Sequence, residues 1–152
     1  MAEPAPRPAF IPSIVYKDNR AALKWLEAAF GFEPSEVLVD SSDNIVHAEM
    51  SHGTGVIMVG GEFASWTKSP LSVGGANTQR IHVRVERDID AHCERARKAG
   101  AKIVMEPADQ FYGERTYMAQ DLDGHHWTFS QTVKHATEAD YNKAGFKTKA
   151  LR

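Results

Sequence analysis

Two histidines and a glutamate occupy the polar faces of two predicted strands, and their side chains are well suited to chemistry. In the segment IVHAEM, period-two alternation places His47 and Glu49 on one face of a strand. In the segment IHVRVERD, it places His82, Arg84 and Glu86 together, opposite aliphatic residues. Because an unpaired charge in a dry core costs several kcal/mol, each polar face must meet water, a paired group or a ligand. The pattern therefore predicts two sheet faces that are open to a ligand.

One interpretation of these side chains is a metal site. His47, Glu49 and His82 offer two imidazole nitrogens and a carboxylate, a set suited to Fe²⁺ or Zn²⁺ if the two histidines come within reach of each other. Without a metal, either histidine could serve as a general base near neutral pH, and a purely structural role is the third alternative. The adjacent His125 and His126 are not predicted to form a metal pair, because consecutive strand residues point in opposite directions.

The other interpretation is a binding site for a small organic molecule. Its predicted lining comprises His47, Glu49, His82, Arg84 and Thr128 from the strands, and Trp66, Tyr112 and Arg115 from the loops. Aromatic rings supply broad apolar contact, and arginine offers fixed donors to a carboxylate or phosphate group. Trp66 and Tyr112 can alternatively pack within their own loops. Arg115 can instead fix its own loop, and Arg84 can pair with a neighbouring strand.

Length, charge and composition exclude several classes of protein. The 152 residues are enough for one ordinary hydrophobic core, and 18 basic against 20 acidic residues argue against a surface built to bind nucleic acid. No apolar run approaches the roughly 18 residues that a membrane span requires. The single Cys93 cannot form an internal disulfide, and the start MAEPAPRPAF lacks the apolar region of a secretory signal. We therefore expect a soluble, cytoplasmic protein with no nucleic-acid or membrane partner.

The polar faces belong to a chain in which strand and helix patterns alternate. From Phe10, branched and aromatic residues predict a short strand. The segment NRAALKWLEAAF follows with apolar residues at helical spacing, Asp18 as N-cap and Gly31 just beyond its end. Three further strands are then predicted at residues 36–39, 45–50 and 56–59. The first half of the chain thus has the order βαβββ.

The same order repeats in the second half. A strand at IHVRVERD and a helix at IDAHCERARKAG precede predicted strands at residues 103–105, 116–120 and 127–131. Asp18 corresponds to Asp88 at an offset of 70 residues, and Ile45 corresponds to Thr116 at 71, which indicates a duplicated unit. The predicted organisation is a proline-rich arm at 1–9, a first βαβββ module at 10–62, a linker loop at 63–78, a second module at 79–131 and a polar tail at 132–152.

Four smaller features complete these predictions. The segment EPADQFYGER is interpreted as a long connection inside the second module, and DLDGHHW as a tight turn with a structural role. Cys93 falls on the apolar stripe of its helix, so we expect it to be buried and not to act as a nucleophile. The tail is predicted to form one polar helix and a loose end.

Three features together resemble one known family: the duplicated βαβββ order, the pattern D-x-x-x-A-x₈-G from Asp18 to Gly31, and the segment YGERTYMAQDLDGHHWTFSQ. The sequence is similar to the vicinal oxygen chelate superfamily and, more narrowly, to the glyoxalase/bleomycin-resistance/dioxygenase family over residues 10–131. The resemblance implies an α+β fold in which the strands of two modules form a curled, cup-like mixed sheet with helices on the outside. It further implies a ligand or metal inside the cup, and commonly a homodimer.

The resemblance also indicates where a metal would bind, because metal-dependent members carry their ligands on the first and last strands of each module. Those positions correspond to Ile11 or Pro12 and Met58 in the first module, and to Ile81 or His82 and Thr128 in the second. Of these, His82 alone is a donor of the usual type, whereas catalytic Zn²⁺ generally needs three protein ligands. The expectation is a metal-free binding protein, similar to drug-sequestering resistance proteins. The alternative is a metal-dependent glyoxalase-type lyase or isomerase, or a ring-cleaving dioxygenase, with a divalent metal at other positions.

Overall fold

The computed structural model describes residues 6–150 and divides them into two compact units. One unit holds the described residues up to Ala76 together with Leu122–Gly124, and the other holds Asn77–Asp121 and the described residues from His125 onward. No helix among the described residues is long and apolar enough to cross a membrane.

The first unit contains a four-stranded mixed sheet and one helix. Its elements are β1 (Ser13–Tyr16), α1 (Asn19–Phe30), β2 (Glu33–Val39), β3 (Ile45–His52) and β4 (Gly55–Gly61), followed by a short 3₁₀ helix (Pro70–Ser72). The strand order is β1-β4-β3-β2, with β1 parallel to β4 and the other pairs antiparallel. Helix α1 begins and ends as predicted, because the Asp18 side chain accepts from the Ala21 amide and Gly31 adopts a left-handed conformation with a φ of 73°.

The second unit repeats this arrangement. Its elements are β5 (Ile81–Arg84), α2 (Ile89–Lys98), β6 (Lys102–Asp109), β7 (Glu114–Gln120) and β8 (His126–Thr132), followed by α3 (Glu138–Lys143). The strand order is β5-β8-β7-β6, again with the first and last strands parallel. The predicted α+β fold of two βαβββ modules is therefore confirmed, with one four-stranded mixed sheet in each module.

Each helix covers one face of its own sheet, and this packing assigns the two faces. Leu26 and Phe30 of α1 are buried on the side of Ala48 and Met50, while Ile89 and Cys93 of α2 are buried with β7 and β8. The expected burial of Cys93 is confirmed. Since strand side chains alternate, the residues between the buried ones face away from the helix.

The connection inside the second module is shorter than the sequence predicts. Strand β6 continues through Pro107 to Asp109, so residues 110–113 alone connect it to β7, and the prediction of a long EPADQFYGER connection is wrong. Proline is compatible with this strand because β6 lies at the sheet edge, where an amide donor can be absent. Gly113 closes the turn with a φ of 90°, and a Cβ there would overlap the carbonyl of Lys134.

The segment DLDGHHW forms a tight structural turn, as expected. Asp121 accepts from the amide of His125 at 2.9 Å and from the indole Nε1 of Trp127 at 3.0 Å. Asp123 accepts from the amide of Lys17 at 2.8 Å and from the hydroxyl of Ser69 at 2.7 Å. Both carboxylates thus have a structural role, since each accepts hydrogen bonds that fix the conformation of the chain around it.

The two ends of the chain differ in what the structure describes. In the predicted arm, residues 1–5 lie outside the described residues, and residues 6–9 form neither helix nor strand. In the tail, α3 is the predicted polar helix and starts with a capping box between Thr137 and Asp140. Phe146, beyond α3, stacks on Phe111 with ring centroids 5.0 Å apart. The exact module and linker boundaries stay predictions.

Candidate functional site

The face of the first sheet opposite α1 carries a buried carboxylate. Strand β3 alternates so that Ala48 and Met50 pack on the helix side, which directs His47 and Glu49 to the other face. Glu49 is only 5% exposed. The register of β2 against β3 pairs Glu36 with Glu49 and shifts between Pro34 and Glu36. The sheet therefore brings one histidine and two carboxylates together.

Arg7 completes this group of side chains, which we call the Glu49 cluster (Arg7, Glu36, His47 and Glu49). Arg7 donates to both oxygens of Glu49, from Nη2 to Oε1 at 2.8 Å and from Nη1 to Oε2 at 3.2 Å. His47 Nε2 lies 3.2 Å from Glu49 Oε1 and 3.9 Å from Glu36 Oε2. The side chain of Arg7 is itself 59% exposed. A partly exposed guanidinium thus covers a buried carboxylate.

The Glu49 cluster is arranged to keep Glu49 ionised. The hydrogen bond from Arg7 is the largest influence and lowers the pKa of Glu49, against the opposing effect of burial; the bond with His47 lowers it further. The same pair raises the pKa of Arg7. A buried carboxylate with a bidentate guanidinium partner is a strong and geometrically specific ion pair. Glu49 is therefore an ionised, buried carboxylate whose charge Arg7 balances from a partly exposed position.

The corresponding face of the second sheet carries a linked row of polar side chains. His82 Nε2 lies 2.7 Å from the buried Ser130 hydroxyl. Arg84 Nη2 donates to Thr132 Oγ1 at 2.9 Å, and that hydroxyl donates to Glu114 Oε1 at 2.8 Å. The other oxygen of Glu114, Oε2, is buried and has no hydrogen-bond partner among the described residues. This face can supply both donors and an acceptor to a polar ligand.

The strand residues of the predicted lining are thus distributed over two faces. His47 and Glu49 contact each other in the first module, whereas His82, Arg84 and Thr128 share the polar face of the second, with His82 paired in register with Thr128. The three-residue metal set of His47, Glu49 and His82 stays a prediction. The structure shows other partners for each of these side chains.

The loop residues of the predicted lining have local partners. Trp66 is 77% exposed and contacts Phe63 edge to face, and Tyr112 makes the same kind of contact with Phe111. Arg115 lies at the start of β7 and forms ion pairs with Asp90 and Asp109 at 3.0 Å each. The contacts of Trp66 and Tyr112 match the alternative of packing within their own loops. The prediction of a loop position for Arg115 is wrong, because this residue lies in a strand and one of its ion pairs is with α2. Their role as ligand contacts stays a prediction.

Sequence reasoning missed five members of these two groups. Glu114 falls in the segment that the sequence pattern indicates as a connection, but it is the first residue of β7. Ser130 and Thr132 follow from the same alternation that selected Thr128, so the signal for them was present. Arg7 lies in an arm without periodicity, and Glu36 reaches Glu49 through a register shift. Neither of the last two carried a readable signal in the sequence.

The family's metal positions can now be tested against the geometry of each module. In the first, Met58 pairs in register with Ser13, and β1 begins at Ser13, so the prediction of Ile11 or Pro12 as the first-strand position is wrong by at least one residue. In the second, His82 pairs with Thr128, which settles the register choice between Ile81 and His82. These neighbours offer one imidazole where a divalent ion needs several nitrogen or oxygen donors. The residues at these positions do not fit such an ion.

Comparisons with known proteins agree with this fold. TioX from Micromonospora sp. ML1 has a similar structure, with 32% sequence identity, a TM-score of 0.66, and coverage of 81% of this chain and 97% of that one. TnmS3, an antibiotic binding protein from Streptomyces sp. CB03234, has 17% identity, a TM-score of 0.63, and coverage of 86% and 99%. An uncharacterized protein of Mycobacterium tuberculosis is 29% identical over 131 residues, which cover 84% of this chain and 76% of the relative. Residues 10–129 match the family described as the Glyoxalase/Bleomycin resistance protein/Dioxygenase superfamily, and the chain belongs to that superfamily.

Proposed function

We propose that this protein binds a small organic molecule through the polar face of its second sheet, without a metal ion at the positions that bind one in metal-dependent members of the family. The observation that carries the proposal is the composition of the family's metal positions, where Met58 pairs with Ser13 and Thr128 pairs with His82, so that one imidazole is the only strong metal donor among these four residues. The antibiotic-binding role stated for TnmS3, which has the same fold, supports a ligand of this class.

The second module supplies the polar contacts for such a ligand. Arg84 provides planar donors suited to a carboxylate or phosphate group, and His82 beside Ser130 provides a further hydrogen-bonding group. These groups favour a ligand that has a polar or charged substituent. On the first module, Trp66 separately offers an exposed aromatic surface.

The experiment is a ligand panel measured by thermal shift and tryptophan fluorescence, in the presence of a chelator. A ligand that binds the folded state raises the Tm by mass action. Arg84→Ala should weaken binding at least about tenfold, the effect of losing a charge-assisted hydrogen bond. Arg87→Ala, an exposed arginine just beyond β5, is the matched control and should leave binding unchanged. No response across a chemically varied panel would overturn the proposal.

We propose a homodimer as the assembly and the cytoplasm as the location. Strand β2 lies at the edge of the first sheet and exposes Val37, Leu38 and Val39, an apolar surface of the kind that a second subunit covers. The solution mass measured by light scattering tests the assembly. A monomer at micromolar concentration would contradict it.

A metal-dependent lyase, isomerase or ring-cleaving dioxygenase is the second candidate. One observation favours it: Glu36, His47 and Glu49 bring three possible metal-binding atoms within 4.8 Å of one another. A metal-dependent turnover of an α-ketoaldehyde adduct or a catechol, abolished by His47→Ala, would support this candidate over the first. Absence of turnover with several added divalent metals would remove it.

A further inference from the structure

We infer that Glu36, His47 and Glu49 form a binding site for a divalent transition-metal ion of the Zn²⁺ class, and that Arg7 competes with the ion for Glu49. This site lies on β2 and β3, away from the first and last strands of the module. The inference concerns binding alone and is independent of the organic ligand proposed above.

The spacing of the donor atoms fits such an ion. His47 Nε2 lies 3.2 Å from Glu49 Oε1 and 3.9 Å from Glu36 Oε2, and the three donor atoms all lie within 4.8 Å of one another. Metal–ligand bonds of about 2.0–2.2 Å in a tetrahedral site place neighbouring donors about 3.3–3.6 Å apart. The two distances from His47 are close to this spacing, and the two carboxylate oxygens would have to approach each other by at most about 1 Å.

The chemistry of the donors selects the type of ion. One imidazole nitrogen with two carboxylates is a mixed set that suits Zn²⁺, Fe²⁺, Ni²⁺ or Mn²⁺, whereas Ca²⁺ and Mg²⁺ prefer oxygen ligands alone. On binding, His47 Nε2 presents its lone pair to the ion and carries no proton, so a proton leaves to solvent or the ring adopts the other tautomer. Water molecules complete the coordination.

Charge balance explains why Arg7 occupies this place. Glu49 is nearly fully buried, and a buried carboxylate requires a compensating cation. Arg7 supplies one positive charge from an exposed side chain on a segment without helix or strand, so its withdrawal disturbs no regular structure. A divalent ion would supply two positive charges beside two carboxylates. Because the guanidinium engages both oxygens of Glu49 and is positively charged, Arg7 and the ion compete for this carboxylate.

The test is a titration of the full chain, without a histidine tag and after removal of metals by a chelator. Binding of Co²⁺ is followed by its visible absorption and binding of Zn²⁺ by calorimetry, without organic ligand. We expect one ion per chain and an affinity at least about tenfold higher in Arg7→Ala, from which the competing ion pair is absent. Arg20→Ala is the matched control, because Arg20 forms an exposed ion pair with Asp43 elsewhere in the same module.

Two donor variants make the outcome decisive. His47→Ala and Glu36→Gln should each abolish or strongly weaken binding, while His135→Ala, in the exposed tail, should not; circular dichroism and Tm verify that each variant is folded. Binding that survives His47→Ala in a folded protein, or no saturable binding in either the native chain or Arg7→Ala, would overturn the site. Equal affinity of the native chain and Arg7→Ala would overturn the role of Arg7.

Discussion

The polar sheet faces of the two modules differ in how the charges of their side chains are balanced. In the first module, the charge of Glu49 on the sheet is balanced by Arg7, which comes from outside the sheet. In the second, Arg84 and Glu114 both lie on the sheet and are joined through the hydroxyl of Thr132. The backbone order of the two modules is the same, so the difference lies in the side chains. Duplication of a βαβββ unit therefore preserves strand positions but leaves the chemistry of the open face free to change.

The helix-covered faces both form a core, although their side chains differ. The first packs aliphatic residues such as Met50 and Val59, and the second packs the stacked aromatic residues Tyr117 and Phe129. The hydroxyl of a buried tyrosine needs a hydrogen-bond partner, and the Tyr117 hydroxyl lies 2.6 Å from His92 Nδ1. Substitutions on the covered face should therefore affect stability, and those on the open face should affect binding.

The largest expected effect on the free energy of unfolding comes from a substitution on the helix-covered face of the second module. Trp127→Ala should lower the free energy of unfolding by about 3–5 kcal/mol, since it leaves a cavity and removes the indole bonded to Asp121. The neighbouring Thr128→Ala, which alters the open face of the same strand, should change it by about 0.5 kcal/mol or less. Urea denaturation measures both. Similar losses for the two variants would contradict the assignment of the faces.

The next effect distinguishes the two ways of balancing charge. Arg7→Ala should lower the Tm in the absence of metal, because Glu49 keeps its buried charge without the guanidinium. Glu49→Gln together with Arg7→Ala should recover part of that loss, whereas Arg84→Ala should lower the Tm less, since Arg84 is exposed and its partner is a hydroxyl. Differential scanning fluorimetry with a chelator measures the series. A larger loss for Arg84→Ala would reverse the comparison.

A smaller effect concerns α3, which has no counterpart in the first module. The bonds from Thr137 and Lys134 lower the pKa of Asp140 from 3.8 to about 2. Because the folded pKa is the lower one, the stabilisation of the cap is complete above about pH 4 and is lost as the pH falls towards 2. Amide exchange and chemical shifts of residues 138–143 should show this local loss. Thr137→Ala should weaken the helix by about 1 kcal/mol even at neutral pH.

The smallest expected effect concerns the rate at which Cys93 reacts with a thiol reagent. Cys93 occupies the position in the second module that Leu23 occupies in the first. Burial raises the pKa of the Cys93 thiol to about 11, so the thiol is protonated and inaccessible in the folded protein. Labelling with a thiol reagent at about pH 8 should be slow and should become fast in denaturant. Rapid labelling of the folded protein would contradict the burial of Cys93 and indicate that α2 opens readily.

Much of the fold follows from local patterns in the sequence. Alternation within β3 placed His47 and Glu49 on one face, and Asp18 and Gly31 marked the ends of α1, because each signal depends on residues within one or two turns of the chain. The same local reasoning ended β6 too early, at Met105, before Pro107, because the tolerance of an edge strand for proline depends on sheet order.

The composition of the candidate site was decided by the tertiary structure. Arg7 and Glu49 are 42 residues apart in the chain, and Glu36 reaches them through an irregularity in the pairing of β2 and β3. The residue types and their faces were set by the sequence itself, since the period of a strand is a property of its backbone. The partners of Glu49 depended on strand order, register and the path of the arm, because contacts between distant residues are fixed only when the whole sheet has formed.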